Sequence, residues 1–235
     1  MNLYLYSQKR NRDLEDYLVK LCVTPEQFAT LNCARKRILL VGGGVSTTNE
    51  SFLNGTCMEI VNIDYDPFEK DMSERIKNIK GNFYEVISDY EDYFEEIWAL
   101  YSLPLYAPTQ KEAMLFVYKT VHAVKNNGKV RFFPIENEKN NKMHTRDADY
   151  DITTGECREA VMSALKKVQK FGAKCEIIPY QNNKADRQED TVLITVDCTE
   201  EEKEDMNALV RKECNLLDFD NKGNISKVNI MVDQN

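Results

Sequence analysis

An α/β fold on a seven-stranded, mostly parallel sheet is what this sequence predicts, and three observations predict it. Apolar runs of strand length alternate with segments of helical period from residue 37 to residue 197. The run Ile38-Leu39-Leu40-Val41 leads straight into Gly42-Gly43-Gly44, and the next apolar run ends in Asp64. Strand, glycine turn, helix and carboxylate-tipped strand together form the first half of a nucleotide-binding unit. The last two apolar runs are joined by QNNKADRQED, a stretch too short for a crossover helix. They must therefore close the sheet as an antiparallel hairpin.

The elements follow in order. Leu14, Tyr17, Leu18 and Leu21 recur at helical spacing, and Thr24-Pro25-Glu26-Gln27 carries a capping box with proline in the first turn. Two short helices thus precede the first strand, placed to cover one edge of the sheet or to lid a ligand. Strand one is 37–42, a helix over 46–54 stops at Gly55, and strand two is 58–64. Pro67 opens a helix over 67–78 that ends before Gly81, and a third strand is expected at 83–87. Glu91, Asp92, Glu95 and Glu96 read as a solvated turn ahead of strand four, Ile97 to Tyr101. A helix over 109–125 is capped by Thr109 and closed by Asn127-Gly128, and strand five is Lys129 to Ile135. Residues 136–154 are polar and irregular. A helix over 155–171, strands at 174–180 and 191–197, and a helix over 200–213 complete the chain. The expected organisation is an N-terminal helical cap (1–36), a main domain (37–198) and a C-terminal helix and tail of that domain (199–235).

Composition narrows the function. The 235 residues are 42% hydrophobic and 30% charged, as in soluble globular proteins. No apolar run approaches the roughly 20 residues that span a bilayer, and the N-terminus lacks a signal-peptide core. A cytoplasmic protein with no membrane partner is expected. The net charge of −8 repels phosphate backbones and disfavours a nucleic-acid substrate. Seven cysteines, an odd number without a C-x-x-C pair, read as free thiols in a reducing compartment. With two histidines in the chain, a multi-histidine metal centre is excluded, and no metal is expected.

The glycine loop limits the ligand. A dinucleotide fingerprint would need glycine at position 47, which is Thr47, and no Gly-Lys-Ser/Thr ending marks a phosphate-binding loop. The ligand need not carry phosphate, and adenosine joined to a methionine, as in S-adenosylmethionine, suits the loop better. Gly42, Gly43 and Gly44 would let backbone approach it. Asp64 could accept hydrogen bonds from both ribose hydroxyls.

These segments resemble the class I S-adenosylmethionine-dependent methyltransferases, whose fold is Rossmann-like, over roughly residues 35–198. Their first motif, hydrophobic-x-D/E-x-G-x-G-x-G, aligns with Leu39 to Ser46: Gly42 and Gly44 match, Leu40 replaces the acid and Ser46 the third glycine. The resemblance implies that Asp64 holds the ribose and that Tyr65 flanks adenine. Ile79 to Phe83 resembles the family's G-D-hydrophobic segment, with Asn82 in place of the acid, so that Asn82 and Phe83 would meet the adenine. Tyr93 to Tyr101 resembles the strand that opens towards the methyl group, which brings in Ala99.

The acceptor is less constrained. Ser102-Leu103-Pro104-Leu105-Tyr106 departs from the (D/N)PP(Y/F) motif of amino-methylating nucleic-acid enzymes. Tyr101, Tyr106 and His144 are the candidate acceptor-site residues, and a small molecule (or a protein group) is the expected acceptor. His122 reads as structural and Trp98 as core. At most a second copy of the chain is expected as a protein partner. Two alternatives stand beside methyl transfer. Spermidine-synthase-like aminopropyltransferases share the fold and a GGG loop, but continue it with Asp-Gly where this chain has Val45-Ser46. A non-catalytic binding module on the same fold would account for Leu40, Ser46 and Asn82.

Overall fold

A computed structural model describes residues 12–65, 73–136, 152–180 and 189–215. Seven strands form a single sheet: β1 (Arg37–Val41), β2 (Glu59–Asp64), β3 (Ile76–Lys80), β4 (Phe94–Leu100), β5 (Val124–Glu136), β6 (Lys174–Tyr180) and β7 (Glu189–Thr195). Their order is β3-β2-β1-β4-β5-β7-β6. β3 through β5 run parallel, and β7 lies antiparallel to both β5 and β6. The terminal hairpin follows from its short connection, as expected.

Helices cover both faces. α1 (Leu14–Lys20), α2 (Pro25–Cys33) and α3 (Glu50–Gly55) lie on one. There Leu14, Tyr17, Leu21, Leu31 and Phe52 pack on Ile38, Leu40, Ile60, Trp98, Leu100 and Phe133. α4 (Phe83–Val86), α5 (Gln110–Ala123), α6 (Thr154–Gln169) and α7 (Glu200–Asn215) lie on the other. That core takes in Leu39, Val41, Ile97, Ala99, Phe132, Val192 and Ile194. Ile38 and Leu40 face one layer and Leu39 and Val41 the other, because successive side chains of a strand alternate. A strand buried on both faces reads as a continuous apolar run, and Ile38 to Val41 does so. The N-terminal helices thus form part of one layer against a sheet face, rather than covering an edge.

A buried ion pair ties that layer to the sheet. Arg131 on β5 is fully buried, and its Nε donates to Glu96 Oε2 on β4 at 2.8 Å. Its Nη1 donates to the carbonyls of Leu21 and Cys22, and its Nη2 to Gln27 Oε1. Trp98 Nε1 also donates to Glu96, at 2.7 Å. Desolvating a guanidinium is tolerable because its donors are met. Glu95 and Glu96 are therefore strand residues, not part of a solvated turn. Glu95 accepts from the Arg37 amide and from Lys125.

Three further expectations change. The third strand is Ile76–Lys80, inside or beyond the span assigned to a helix, and 83–87 holds α4 instead of a strand. β3 is an edge strand whose Lys77 and Lys80 are exposed, so its alternation is polar enough to pass for the end of a helix. The expected start at Pro67 lies outside the described residues. The helix over 46–54 divides into a one-turn 3-10 segment, Ser46–Thr48, and α3, because Asn49 caps anew by accepting from Ser51 N. Asn127-Gly128 does not close a helix. α5 ends at Ala123 and β5 begins at Val124, with Asn127 at φ +65° where the strand is irregular.

Candidate functional site

The crevice lies at the carboxyl ends of β1, β2 and β4, where strand order reverses between β1 and β4. Gly42 and Gly44 take positive φ, +65° and +54°, which glycine adopts at little cost. Gly42 also meets the exit of β4. A Cβ there would stand 2.5 Å from Ser102 Cβ, and Ser102 Oγ donates to the Val41 carbonyl at 2.6 Å. The two loops are stitched together at this point.

The glycine amides face inward. Gly42 N donates to the Ile63 carbonyl at 2.9 Å, Gly43 N to Asn62 Oδ1 at 3.1 Å, and Gly44 N to Asp64 Oδ2 at 2.9 Å. Asn62, fully buried on β2, returns its Nδ2 to the Gly44 carbonyl and to Asn78 Oδ1. Thr47 Oγ1 also donates to Asn78. A phosphate-binding loop needs amides aimed at its ligand. Here all three glycine amides are engaged within the fold.

Asp64 ends β2, half-buried, directly against the loop. Its neighbour Tyr65 is 65% exposed. Gly81 N donates to the Asp64 carbonyl, which brings Asn82 to the same tip. Asn82 Oδ1 accepts from Tyr84 N as the N-cap of α4. Phe83 is buried against Tyr84 and Phe116, and Ala99 is buried on β4 beside Val41. Gly42, Gly43, Gly44, Asp64, Tyr65 and Asn82 thus converge on the crevice, whereas Phe83 and Ala99 belong to the core beneath it.

At the β4 exit Tyr101 has φ +49°, a conformation that costs a non-glycine residue about 1–3 kcal/mol. Its amide is held by the Phe133 carbonyl at 2.7 Å, and its ring packs edge-on to Phe133 with centroids 5.3 Å apart. The Arg12 guanidinium lies 4.9 Å from the Tyr101 ring centroid and the Lys20 ammonium 4.7 Å. Arg12 Nη1 donates to the Leu100 carbonyl at 3.1 Å, and its backbone amide to Ser46 Oγ at 3.3 Å. Tyr17 lies fully buried beneath. Its hydroxyl sits near Ser46 and Arg12 without a hydrogen bond of ordinary geometry. Burial pushes its pKa up against the opposing Arg12 charge, so it presents a hydroxyl rather than a phenolate.

Tyr106 is partly exposed on the turn after Ser102. His144 lies outside the described residues. His122 is half-buried, with Nδ1 3.0 Å from Asn207 Oδ1 on α7. All seven cysteines are free thiols. Cys157, whose Sγ lies 3.2 Å from the Pro104 carbonyl, is pushed up to about 12 by burial. It is no thiolate nucleophile. Among the described residues no three His, Cys, Asp or Glu side chains converge as a metal site, and no helix is long and apolar enough to cross a membrane.

Sequence reasoning missed Arg12, Tyr17, Asn62 and Ser102. Asn62 had a signal, an amide inside the apolar run Ile60 to Ile63, where a buried polar group must have partners. Arg12 and Tyr17 had none, since contacts across long stretches of chain bring them to the site.

No family model and no curated protein matches the sequence. Solved structures match the fold. A Burkholderia thailandensis 1,6-didemethyltoxoflavin-N1-methyltransferase, with bound 1,6-didemethyltoxoflavin and S-adenosylhomocysteine, is 15% identical, with a TM-score of 0.53 over 83% of this chain and 85% of that one. An S-adenosylmethionine-dependent methyltransferase from Methanosarcina mazei is 11% identical, with a TM-score of 0.48 over 76% and 99%. A Thermotoga maritima spermidine synthase is 14% identical, with a TM-score of 0.43 over 80% and 70%. At such identities the likeness is one of fold. The chain has a Rossmann-like α/β fold, which it shares with the Burkholderia methyltransferase.

Proposed function

We propose that the chain binds S-adenosylmethionine at the β1–β2–β4 crevice and transfers its methyl group to a small-molecule or protein acceptor. The observation that carries this is the internal bonding of the Gly42, Gly43 and Gly44 amides beside Asp64. Such a loop offers packing and a carboxylate, but no amide cradle for phosphate. That suits a nucleoside with a non-phosphate substituent.

The residues fit this ligand. A carboxylate has about four lone-pair sites, so Asp64 can hold Gly44 N and accept ribose hydroxyls. Gly42 and Gly44 give close backbone approach, and Tyr65 and Asn82 flank the tip where adenine would lie. When bound, S-adenosylmethionine would supply an electrophilic sulfonium methyl for transfer to an acceptor lone pair. The chain's own task is to align donor and acceptor and to exclude water. Tyr101 and Tyr106, beyond β4, would wall the acceptor with aromatic faces and hydroxyl tips. The acceptor's proton passes to solvent or to a neighbouring side chain, so a dedicated base is optional.

The aminopropyltransferase reading is weaker. It needs carboxylates at the β4 exit to hold an amine, and Ser102 there donates to the Val41 carbonyl instead. A binding module without turnover differs from an enzyme only in the assay. Purified protein is denatured and its extract examined by mass spectrometry for S-adenosylhomocysteine. The stripped protein is then given S-adenosylmethionine labelled in the methyl group, together with small-molecule and protein extracts. Bound S-adenosylhomocysteine with transfer of label is the expected result. Binding without transfer favours the module, and no binding at all rejects the proposal.

A further inference from the structure

Glu96 and Asp190 are both buried carboxylates paired with an arginine, but only Glu96 is fully met. Its two oxygens accept from Arg131, and one of them also accepts from Trp98. Arg131 spends its remaining donors on Leu21, Cys22 and Gln27. Asp190, on β7, is 2% exposed, and its Oδ2 accepts from Arg158 Nη1 of α6 at 2.9 Å. Its Oδ1 is buried without a hydrogen-bond partner. Arg158 makes no other hydrogen bond among the described residues, and its side chain is 21% exposed. A pair that only stapled α6 to the terminal hairpin would be more stable with both ends met, as at Arg131 and Glu96. The pair also stands on the acceptor side of the crevice. β7 runs antiparallel to β5, so Asp190 lies level with Ile135, at the carboxyl end of β5. β5 neighbours β4, beyond which come Tyr101 and Tyr106. Two strand spacings, about 10 Å, separate Asp190 from the β4 exit. Cys157, the residue before Arg158, reaches the Pro104 carbonyl in the loop after β4 at 3.2 Å.

We infer that Asp190 and Arg158 anchor the far end of the acceptor through an uncharged amide or lactam edge. Asp190 Oδ1 takes the N–H of that edge, and the spare Arg158 donors take its carbonyl oxygen. The pair carries no net charge, so it favours neither a cation nor an anion. Arg158 is the open side, from which a ligand reaches the buried carboxylate. The edge belongs to the acceptor only on the proposed function, but its recognition is tested without the methyl donor.

The full chain, with its arginine side chains labelled for NMR, is titrated with benzamide, and with benzylamine and benzoate as a cation and an anion of similar shape. Wild-type protein should bind benzamide saturably, at least tenfold tighter than either charged analogue, and the Arg158 Nε–H signal should move as it binds. The double variant Asp190→Leu/Arg158→Met replaces the pair with apolar side chains of similar size. It should lose benzamide affinity at least tenfold and keep or raise Tm, because no unmet oxygen is left behind. The inference is overturned if the Arg158 signal stays still, if a charged analogue binds as tightly as benzamide, or if the folded double variant binds benzamide like wild type. A double variant that fails to fold also counts against it, since the pair would then serve packing. Each titration is repeated with S-adenosylhomocysteine. Benzamide bound at Arg158 in protein that never takes S-adenosylhomocysteine upholds this recognition and overturns the proposed function. S-adenosylhomocysteine bound without benzamide does the reverse.

Discussion

Asp64 carries two separable duties, and substitution can part them. Its Oδ2 accepts from Gly44 N at 2.9 Å, and the same carboxylate faces the position proposed for the ribose. Asp64→Ala removes both. Hydrogen bonds to a charged group contribute about 1.5–3 kcal/mol, so the dissociation constant for S-adenosylhomocysteine should rise about 10- to 150-fold. Gly44 is buried, and losing its acceptor costs a further amount of stability. The range for an orphaned buried amide is about 1–3 kcal/mol, and the half-exposed setting of Asp64 favours its lower end. For a chain of this size that lowers Tm by about 2–4 °C. Asp64→Asn keeps an acceptor for Gly44 but loses the charge. Its Tm should return towards wild type while affinity stays reduced. Calorimetry and thermal unfolding on the three proteins read out both effects. Unchanged affinity in both folded variants would refute the ribose assignment. Full recovery of affinity in Asp64→Asn would show that the residue acts only through the loop.

Gly42→Ala should lower Tm by several degrees and weaken ligand binding, because φ is +65° and the added methyl meets Ser102 Cβ. Gly55→Ala, with no positive φ and a nearest contact of 3.4 Å, is the control, and equal effects would dismiss the argument. Arg131→Met leaves Glu96 buried without its ion-pair partner and should cost about 3–5 kcal/mol in urea unfolding. Adding Glu96→Leu should recover part of this, the remainder reflecting the orphaned Leu21 and Cys22 carbonyls. Iodoacetamide at pH 8 should modify the exposed Cys33 and Cys57 first. Burial raises Cys157 and Cys175 to about 12, which keeps both as thiols at that pH, so they should react only on unfolding. Mass spectrometry that finds Cys157 labelled early in folded protein would count against the described packing.

The parallel core was legible wherever burial wrote itself into a continuous apolar run. β1 and β4 are covered on both faces, so their strands could be read directly. β3 could not, because an edge strand with exposed Lys77 and Lys80 has no such run. Short-range chemistry was also readable: Thr24 and Gln27 form the capping box that their spacing demands. Of the candidate site, the residues on the β1–β2 unit were legible. Glycines that end one apolar run, with an acid at the tip of the next, meet few structural needs besides a ligand-binding turn. The α1 wall was not legible. Arg12 reaches Leu100 and Lys20 reaches Tyr101 through tertiary packing, and Arg131 meets Glu96 across neighbouring strands. Single-sequence patterns carry no record of such pairings. Glu95 and Glu96 on β4 misled for the same reason, since a buried glutamate such as Glu96 is recognisable only beside its arginine.

The central claim is that this crevice takes an adenosyl ligand without phosphate at the glycine loop. Calorimetric titration of stripped, folded protein with S-adenosylhomocysteine, NAD and ATP in parallel tests it most directly. Saturable binding of S-adenosylhomocysteine, at least tenfold tighter than either phosphate-bearing ligand (about 1.4 kcal/mol), is the predicted result. Tighter binding of NAD or ATP would contradict it.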